Sequence, residues 1–439
     1  MISCCGRVSS FTTPAGDLAR RRALDQALDG ARRDRQKLAE FMAEMTALDD
    51  RRFQIRLKEP FPFVELALGA SAGMVPVIMR AKDAATDPYQ LVTETIGSGR
   101  SASCAANGCP GSRSSMRRIP TMCRAPSRRT GWPAARSSRS DRVEWLVLPD
   151  SMTKAAALQK GEIDIIDQLP LDQAPLLEKL PHVIVRPLNP IDNNGILRPN
   201  HLHPPFNHPK ARQALALLVD QKDYLHAAEG DDPKWWRECW SFFVCGTANG
   251  TEVGAEAVRH RDLARAKQLL AESGYKGEPI VVIATREIPS IGGLGDVTVA
   301  NLQAIGAKVE IRESDWGTMV TRRTKKDPPE SGGWNIFHTN FTSGTSFNPL
   351  TNFGINESCG GTSWFGWPCD EQAEALRLAY IRAPDEAARR QALETLQRRF
   401  VEVVPLIPLG QYKQPIAWRD SVSGLLTATV NVYWNIEKK

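Results

Sequence analysis

The 439 residues contain no run of eighteen apolar side chains, so the sequence offers no membrane-spanning helix. The opening, MISCCGRVSSFTTPAGDLARRR, has no apolar stretch of seven or more residues behind a basic start, and so is not a secretory signal. That absence fits a cytosolic protein and fits equally an exported protein whose start is missing; composition does not choose. No CxxC pair exists, and the odd total of nine cysteines argues against a complete disulfide framework. Cys239 with Cys245, and Cys359 with Cys369, are candidate pairs, yet free, mostly buried thiols are the expectation. There is no G-x-S-x-G elbow, and the seven histidines have no neighbouring nucleophile pattern. Gly292-Gly293-Leu294-Gly295 lacks both the G-x-G-x-x-G spacing and a phosphate-binding lysine. His201-x-His203 is half a zinc site at most, because Pro204 and Pro205 follow and no nearby Glu or Cys completes it. No cofactor and no metal is expected.

What charge there is lies unevenly. The net charge of +6 rests on residues 100–140, which hold nine Arg, nine Ser and no Lys, Asp or Glu; without them the remainder is about −3. A nucleic-acid surface mixes Lys with Arg and interleaves aromatics for stacking, whereas this segment has only Trp132. Nucleic acid is excluded as a partner on that ground.

Periodicity becomes coherent from Arg51. Phe53, Ile55 and Leu57 alternate as in a half-buried strand, which the run Pro60-Phe61-Pro62-Phe63 ends. Residues 68–100 read as loop. Residues 143–148 are strand-like, Asp150 or Ser151 caps a helix over SMTKAAALQK, and Gly161 ends it. Short strands follow at residues 163–166 and 183–185. Residues 211–225 form one amphipathic helix, and Asp262 caps another that Gly274 closes. Residues 280–283 make a buried strand, 297–305 a helix, 309–311 a strand, and Asp315 caps a helix through Arg322. Late helices at 371–381 and 385–400 precede a strand at 403–409. Strands alternating with helices of ten or more residues argue for α/β with substantial parallel sheet.

Particular strings say more. DRVEWLVLPDSMTKAAALQKGEIDIID (residues 141–167) resembles the extracytoplasmic solute-binding proteins of family 5, the dipeptide, oligopeptide and nickel-binding class of ABC importers. NHLHPPFNHPKARQALALLVDQKDYL (200–225) is similar to that family's entry into its second lobe. SDWGTMVTRR (314–323), GGWNIFHTNF (332–341) and VPLIPLGQY (404–412) also match, the last as the return strand to the first lobe. The resemblance covers residues 36–99 and 141–439, and rests on the order and spacing of these strings. It implies an α/β, periplasmic-binding-protein type II two-lobe fold with a hinge and, here, an incomplete first lobe. The implied division is a remnant of lobe I over 36–197, lobe II over 198–403 and a return to lobe I over 404–439.

The same resemblance accounts for the anomalous segment. Codons permitted for SMRRIPTMCR, read one base out of register, can give YEKNPDYVP, a string of the family's type. Residues 100–140 are therefore read as out of frame, and residues 1–35 as an out-of-frame or non-native start. As encoded, the chain would stay cytoplasmic, although the family is periplasmic.

The resemblance implies binding without catalysis: a clamp that holds a peptide or similar small polar solute and, as a monomer, delivers it to the membrane permease subunits of an ABC importer. Peptide binders hold the ligand's amine with an Asp, but residues 334–343 of this chain contain no carboxylate before Glu357. A buried ammonium without a counter-charge is costly, so neutral groups, Asn335, Thr339 and Asn340, suit a polar ligand or a modified peptide better. Trp316 and Trp334 are either cleft walls or plain core, Phe341 lies on the same strand, and Asn200 either touches ligand or fixes the hinge. Two other readings stand beside this one: a non-functional fragment of such a protein, and a cytosolic α/β hydrolase.

Overall fold

The computed structural model describes residues 38–69 apart from 39, 50 and 51, residues 101–103 and 113–118, and residues 140–439 apart from 141, 149, 361, 362, 430 and 434. The readings of residues 1–35, and most of 100–140, lie outside the described residues.

The chain divides into two compact units, residues 1–167, 176–188 and 417–439 in the first, and 168–175 and 189–416 in the second. The first opens with an antiparallel pair, β1 (Met42–Asp49) and β2 (Arg52–Leu57), before a short helix α1 (Val64–Gly69). A three-stranded antiparallel sheet follows, with β4 (Arg113–Arg118) between β3 (Ser101–Ser103) and β5 (Arg142–Leu146). Helix α2 (Ser151–Lys160) starts where the sequence places it. The Asp150 carboxylate accepts the Thr153 N–H at 2.6 Å, and Gly161 closes the helix at φ 79°, a conformation that a Cβ would strain. Strands β6 (Ile165–Ile166) and β7 (Val183–Pro187) complete this part.

The second unit is built on a six-stranded sheet of order β11-β10-β12-β8-β13-β9: β8 (Asn193–Pro199), β9 (Trp236–Arg237), β10 (Ile280–Ala284), β11 (Val309–Glu313), β12 (Ile336–Phe341) and β13 (Ile407–Tyr412). Strands β11, β10 and β12 are mutually parallel, while β8 runs antiparallel to both β12 and β13. Helices α3 (Pro209–Leu217), α4 (Gln221–Glu229), α5 (Leu263–Glu272) and α6 (Leu294–Ala304) contribute Leu215, Tyr224, Leu269 and Leu302 to one core with Ile280, Val282, Ile336 and Ile407. Ile280–Ala284 is buried at every position, which is why it reads as an uninterrupted apolar run. Later come α7 (Trp316–Arg322), α8 (Glu371–Arg382) and α9 (Glu386–Val403). Asp262, Asp315, Asp370 and Asp385 cap α5, α7, α8 and α9, each through the third following N–H at 2.7–2.9 Å. The chain then returns to the first unit through β14 (Pro415–Arg419), which lies between β6 and β7, and ends in the pair β15 (Val422–Ser423) and β16 (Glu437–Lys438).

Two expectations are corrected, and one central strand gave no signal in the sequence. The single helix over residues 211–225 is two, because Leu218 and Val219 turn into the core and Asp220 then accepts the Lys222 N–H at 3.0 Å to start α4. Strand β8 has no apolar alternation to announce it. Its Arg198 is wholly buried, and is satisfied by donating to the carbonyls of Phe365, Gly354, Pro405 and Trp364 at 2.6–3.3 Å. The expected free thiols are instead two disulfides, Cys239–Cys245 with Cα atoms 6.1 Å apart and Cys359–Cys369 at 4.7 Å, both within bridging range.

Candidate functional site

Parallel strands present their loops, and so their ligand groups, at their carboxyl ends. In the second unit that edge gathers Thr285, Arg286 and Glu287 after β10, Asp315 and Trp316 after β11, Thr342 and Ser343 after β12, and the end of β13 at Tyr412. The segment entering antiparallel β8 joins them: Asn189 Nδ2 lies 3.3 Å from Ser343 Oγ. Arg286 is neutralised there by Asp296 and Glu313, with its Nη1 and Nη2 2.5 Å from each.

The seven residues singled out in the sequence fall into separate places. Asn200, Trp334 and Asn335 form a knot at the amino end of β12. Asn335 Oδ1 accepts the Val281 N–H at 2.8 Å and its Nδ2 donates to the Pro204 carbonyl at 2.9 Å, while Asn200 Nδ2 donates to the Trp334 carbonyl at 2.9 Å. Trp334 is wholly buried against Phe337 and Trp367, ring centroids 5.0 and 6.0 Å away. Asn340 and Phe341 sit at the other end of the strand, about 17 Å from Asn335 at ordinary strand rise. Asn340 Nδ2 donates to Ser290 Oγ at 2.9 Å, and the Tyr412 hydroxyl lies beside the same pair. Burial, with the Glu229 carboxyl nearby, pushes the Tyr412 phenol up, so it stays a neutral donor. Thr339 is buried on the intervening strand, and Phe341 packs edge-on to Phe353 at 4.9 Å and against Trp364 at 5.2 Å.

Trp316 belongs to a third group, together with a residue that sequence reasoning missed. Arg323 closes α7, two turns after Trp316 and on the same face. Its guanidinium lies 5.0 Å from the Phe365 ring, 5.6 Å from Trp316, 5.7 Å from Trp364 and 5.9 Å from Phe337. Among the described residues no carboxylate pairs with it, and its buried Nε has no acceptor. Burial alone pulls its pKa down to about 10, so it remains charged at neutral pH. The side chain is a half-buried cation stacked on aromatic faces with donors unused. The spacing of Trp316 and Arg323 was a readable signal; the rings from residues 337, 364 and 365 were not. Glu287 holds this corner in place, its carboxylate accepting the Trp316 N–H at 2.8 Å.

Among the described residues one cluster brings metal-ligand atoms together, Cys239, Cys245 and Glu252, and its two sulfurs are already joined as a disulfide. No described helix is long and apolar enough to cross a membrane.

Residues 15–363 match the bacterial extracellular solute-binding proteins, family 5 middle. This chain belongs to that family. A probable peptide ABC transporter periplasmic-binding protein of Sinorhizobium fredii is 35% identical over 400 residues, 90% of this chain and 74% of the relative. The di/tripeptide-binding protein 2 of Pseudomonas aeruginosa is 30% identical over 233 residues, 51% of this chain and 41% of that one. Among solved structures, AgaA of A. tumefaciens R10 in complex with agropinic acid superposes with a TM-score of 0.77 at 18% identity, covering 96% of this chain and 83% of that one. DppA of Helicobacter pylori in complex with the peptide STSA gives 0.76 at 18%, covering 95% and 80%. The family's two-lobe α/β fold is therefore the fold of this chain. Against that background the second unit carries a neutral polar edge at Asn340 and, at Arg323, a cation unpaired among the described residues.

Proposed function

We propose that this family member captures a peptide, or a similar small solute with a free carboxylate, as the substrate-binding component of an ABC importer. The observation that carries the reading is Arg323. Among the described residues its half-buried guanidinium has no counter-charge, and a ligand carboxylate supplies one by accepting from the terminal Nη groups. Trp316 and Phe365 provide apolar walls beside it, and Asn340 and Asn189 offer uncharged donors and acceptors along the carboxyl edge. The relatives named for peptides and the structure holding a peptide support the ligand class. In this reading Asn340 and Trp316 serve the ligand directly, Thr339 and Phe341 lie beneath them, and Asn200, Trp334 and Asn335 support strand β12. The protein works in the periplasm as a monomer, passes its solute to membrane permease subunits and performs no catalysis.

Titration of the full chain with a di- and tripeptide library, read by intrinsic tryptophan emission, tests it. A saturable change of emission with some peptides is the expected result. Flat emission with every peptide, together with no heat on calorimetric titration, overturns the reading.

A further inference from the structure

Helix α7 has a second face, pointing away from the aromatic rings around Arg323. Thr318, Arg322 and Lys325 follow one another at spacings of four and three, and with Thr321, Gly317, Asp315 and Gly332 they line an open groove of about 720 Å³. The groove holds more positive than negative charge. The Asp315 carboxylate at its head accepts the Thr318 N–H at 2.9 Å and is held ionised, one negative charge against the cations of Arg322 and Lys325. Glu310, whose charge favours the Arg322 cation, is itself bound to Arg312, whose positive charge adds to burial in lowering the Arg322 pKa. Finally, Arg322 Nε is buried with no acceptor, although its Nη2 donates to the Gly333 carbonyl at 3.0 Å. Lys325 stands beside the same turn, its ammonium 3.7 Å from where a side chain on Gly332 would begin.

A guanidinium, an ammonium and a hydroxyl along one groove suit a ligand with several acceptor oxygens and more than one negative charge. We infer that the groove formed by Thr318, Arg322 and Lys325 is an oxyanion site that takes a phosphate group, separate from the peptide-binding edge. The phosphate is either free in solution or the head of an anionic lipid, since the groove is open along its length. The site uses none of the groups that face Arg323, so it stands or falls apart from peptide capture.

The test uses the full chain in two arms: calorimetric titration with inorganic phosphate, and co-sedimentation with phosphatidylglycerol vesicles. Saturable binding in either arm is expected, weakened at least tenfold in the double variant Arg322→Gln/Lys325→Gln and unchanged in Arg323→Gln. Lys325→Gln alone, a change at an exposed position that leaves the fold intact, is expected to weaken binding about threefold. Binding to phosphate alone identifies a free anion, and binding to vesicles identifies a lipid head. No saturable binding in either arm, equal binding by the double variant, or loss in Arg323→Gln instead, overturns the inference.

Discussion

The Arg323 guanidinium lies 5.6 Å from the centre of the Trp316 ring and has no carboxylate beside it among the described residues. A cation in that position is stabilised by ring faces but keeps its hydrogen-bonding capacity for something else. Replacing it separates the two roles. Arg323→Gln should cost about 1.5–3 kcal/mol of ligand binding, one charge-assisted contact, and so raise Kd roughly ten- to hundredfold. Calorimetry with a peptide that the parent protein binds checks this, with circular dichroism showing an unchanged fold.

Asn335 should behave in the opposite way. Its amide joins β10 to the Pro204 turn, so Asn335→Ala orphans the buried Val281 N–H and removes the donor to the Pro204 carbonyl. The expected loss is about 2–4 kcal/mol, lowering the melting temperature by roughly 5–10 °C. Peptide affinity measured well below the transition should stay within about twofold of the parent's, since the Asn335 amide is engaged with main-chain groups.

The buried Glu357 carboxyl gives stability a pH dependence. Burial, helped by the negative charge of Asp370 and opposed by Arg198 and Arg212, pushes its pKa from 4.5 up to about 8. Between those values the unfolded chain is ionised while the folded chain keeps its proton. This contribution is therefore fully present below pH 4.5 and is lost as pH rises toward 8. His338 acts on the acid side: burial depresses it from 6.5 to about 3, so its contribution is lost as pH falls through that window. Thermal melts from pH 5 to pH 9 should show Glu357→Gln losing less stability than the parent as pH rises.

The disulfides are chemically accessible to test. Alkylation of the denatured but unreduced protein should leave Cys239, Cys245, Cys359 and Cys369 unmodified, as peptide mass spectrometry would show. Removing either bridge by Cys→Ser changes should cost roughly 2–3 kcal/mol, read from denaturant midpoints.

Much of this architecture is legible along the chain because it is local. Asp150, Asp262 and Asp315 cap helices that begin where their side chains sit, Gly161 and Gly274 follow helix ends at positive φ, and Ile280–Ala284 reads as a buried strand. What could not be read is tertiary. Asn193–Pro199 is a central strand whose arginine is buried only because four carbonyls from residues 354–405 converge on it. The cysteine pairs depend on loops closing to within 6.1 and 4.7 Å. Within the candidate site, Asn335 and Asn340 look equivalent in sequence, five residues apart on one strand. In the fold, the first is tied to main-chain groups and the second meets Ser290 and Tyr412 at the open edge. Arg323 escaped notice because the rings around it come from three separate segments.

The most direct test of peptide capture through the ligand carboxylate is a paired titration of the unaltered protein. A tripeptide with a free carboxyl terminus and the same tripeptide as its carboxyl-terminal amide are compared by calorimetry. The free acid should bind at least tenfold more tightly, and Arg323→Gln should remove the difference. Equal affinity for acid and amide, or a preference that persists without Arg323, would contradict it.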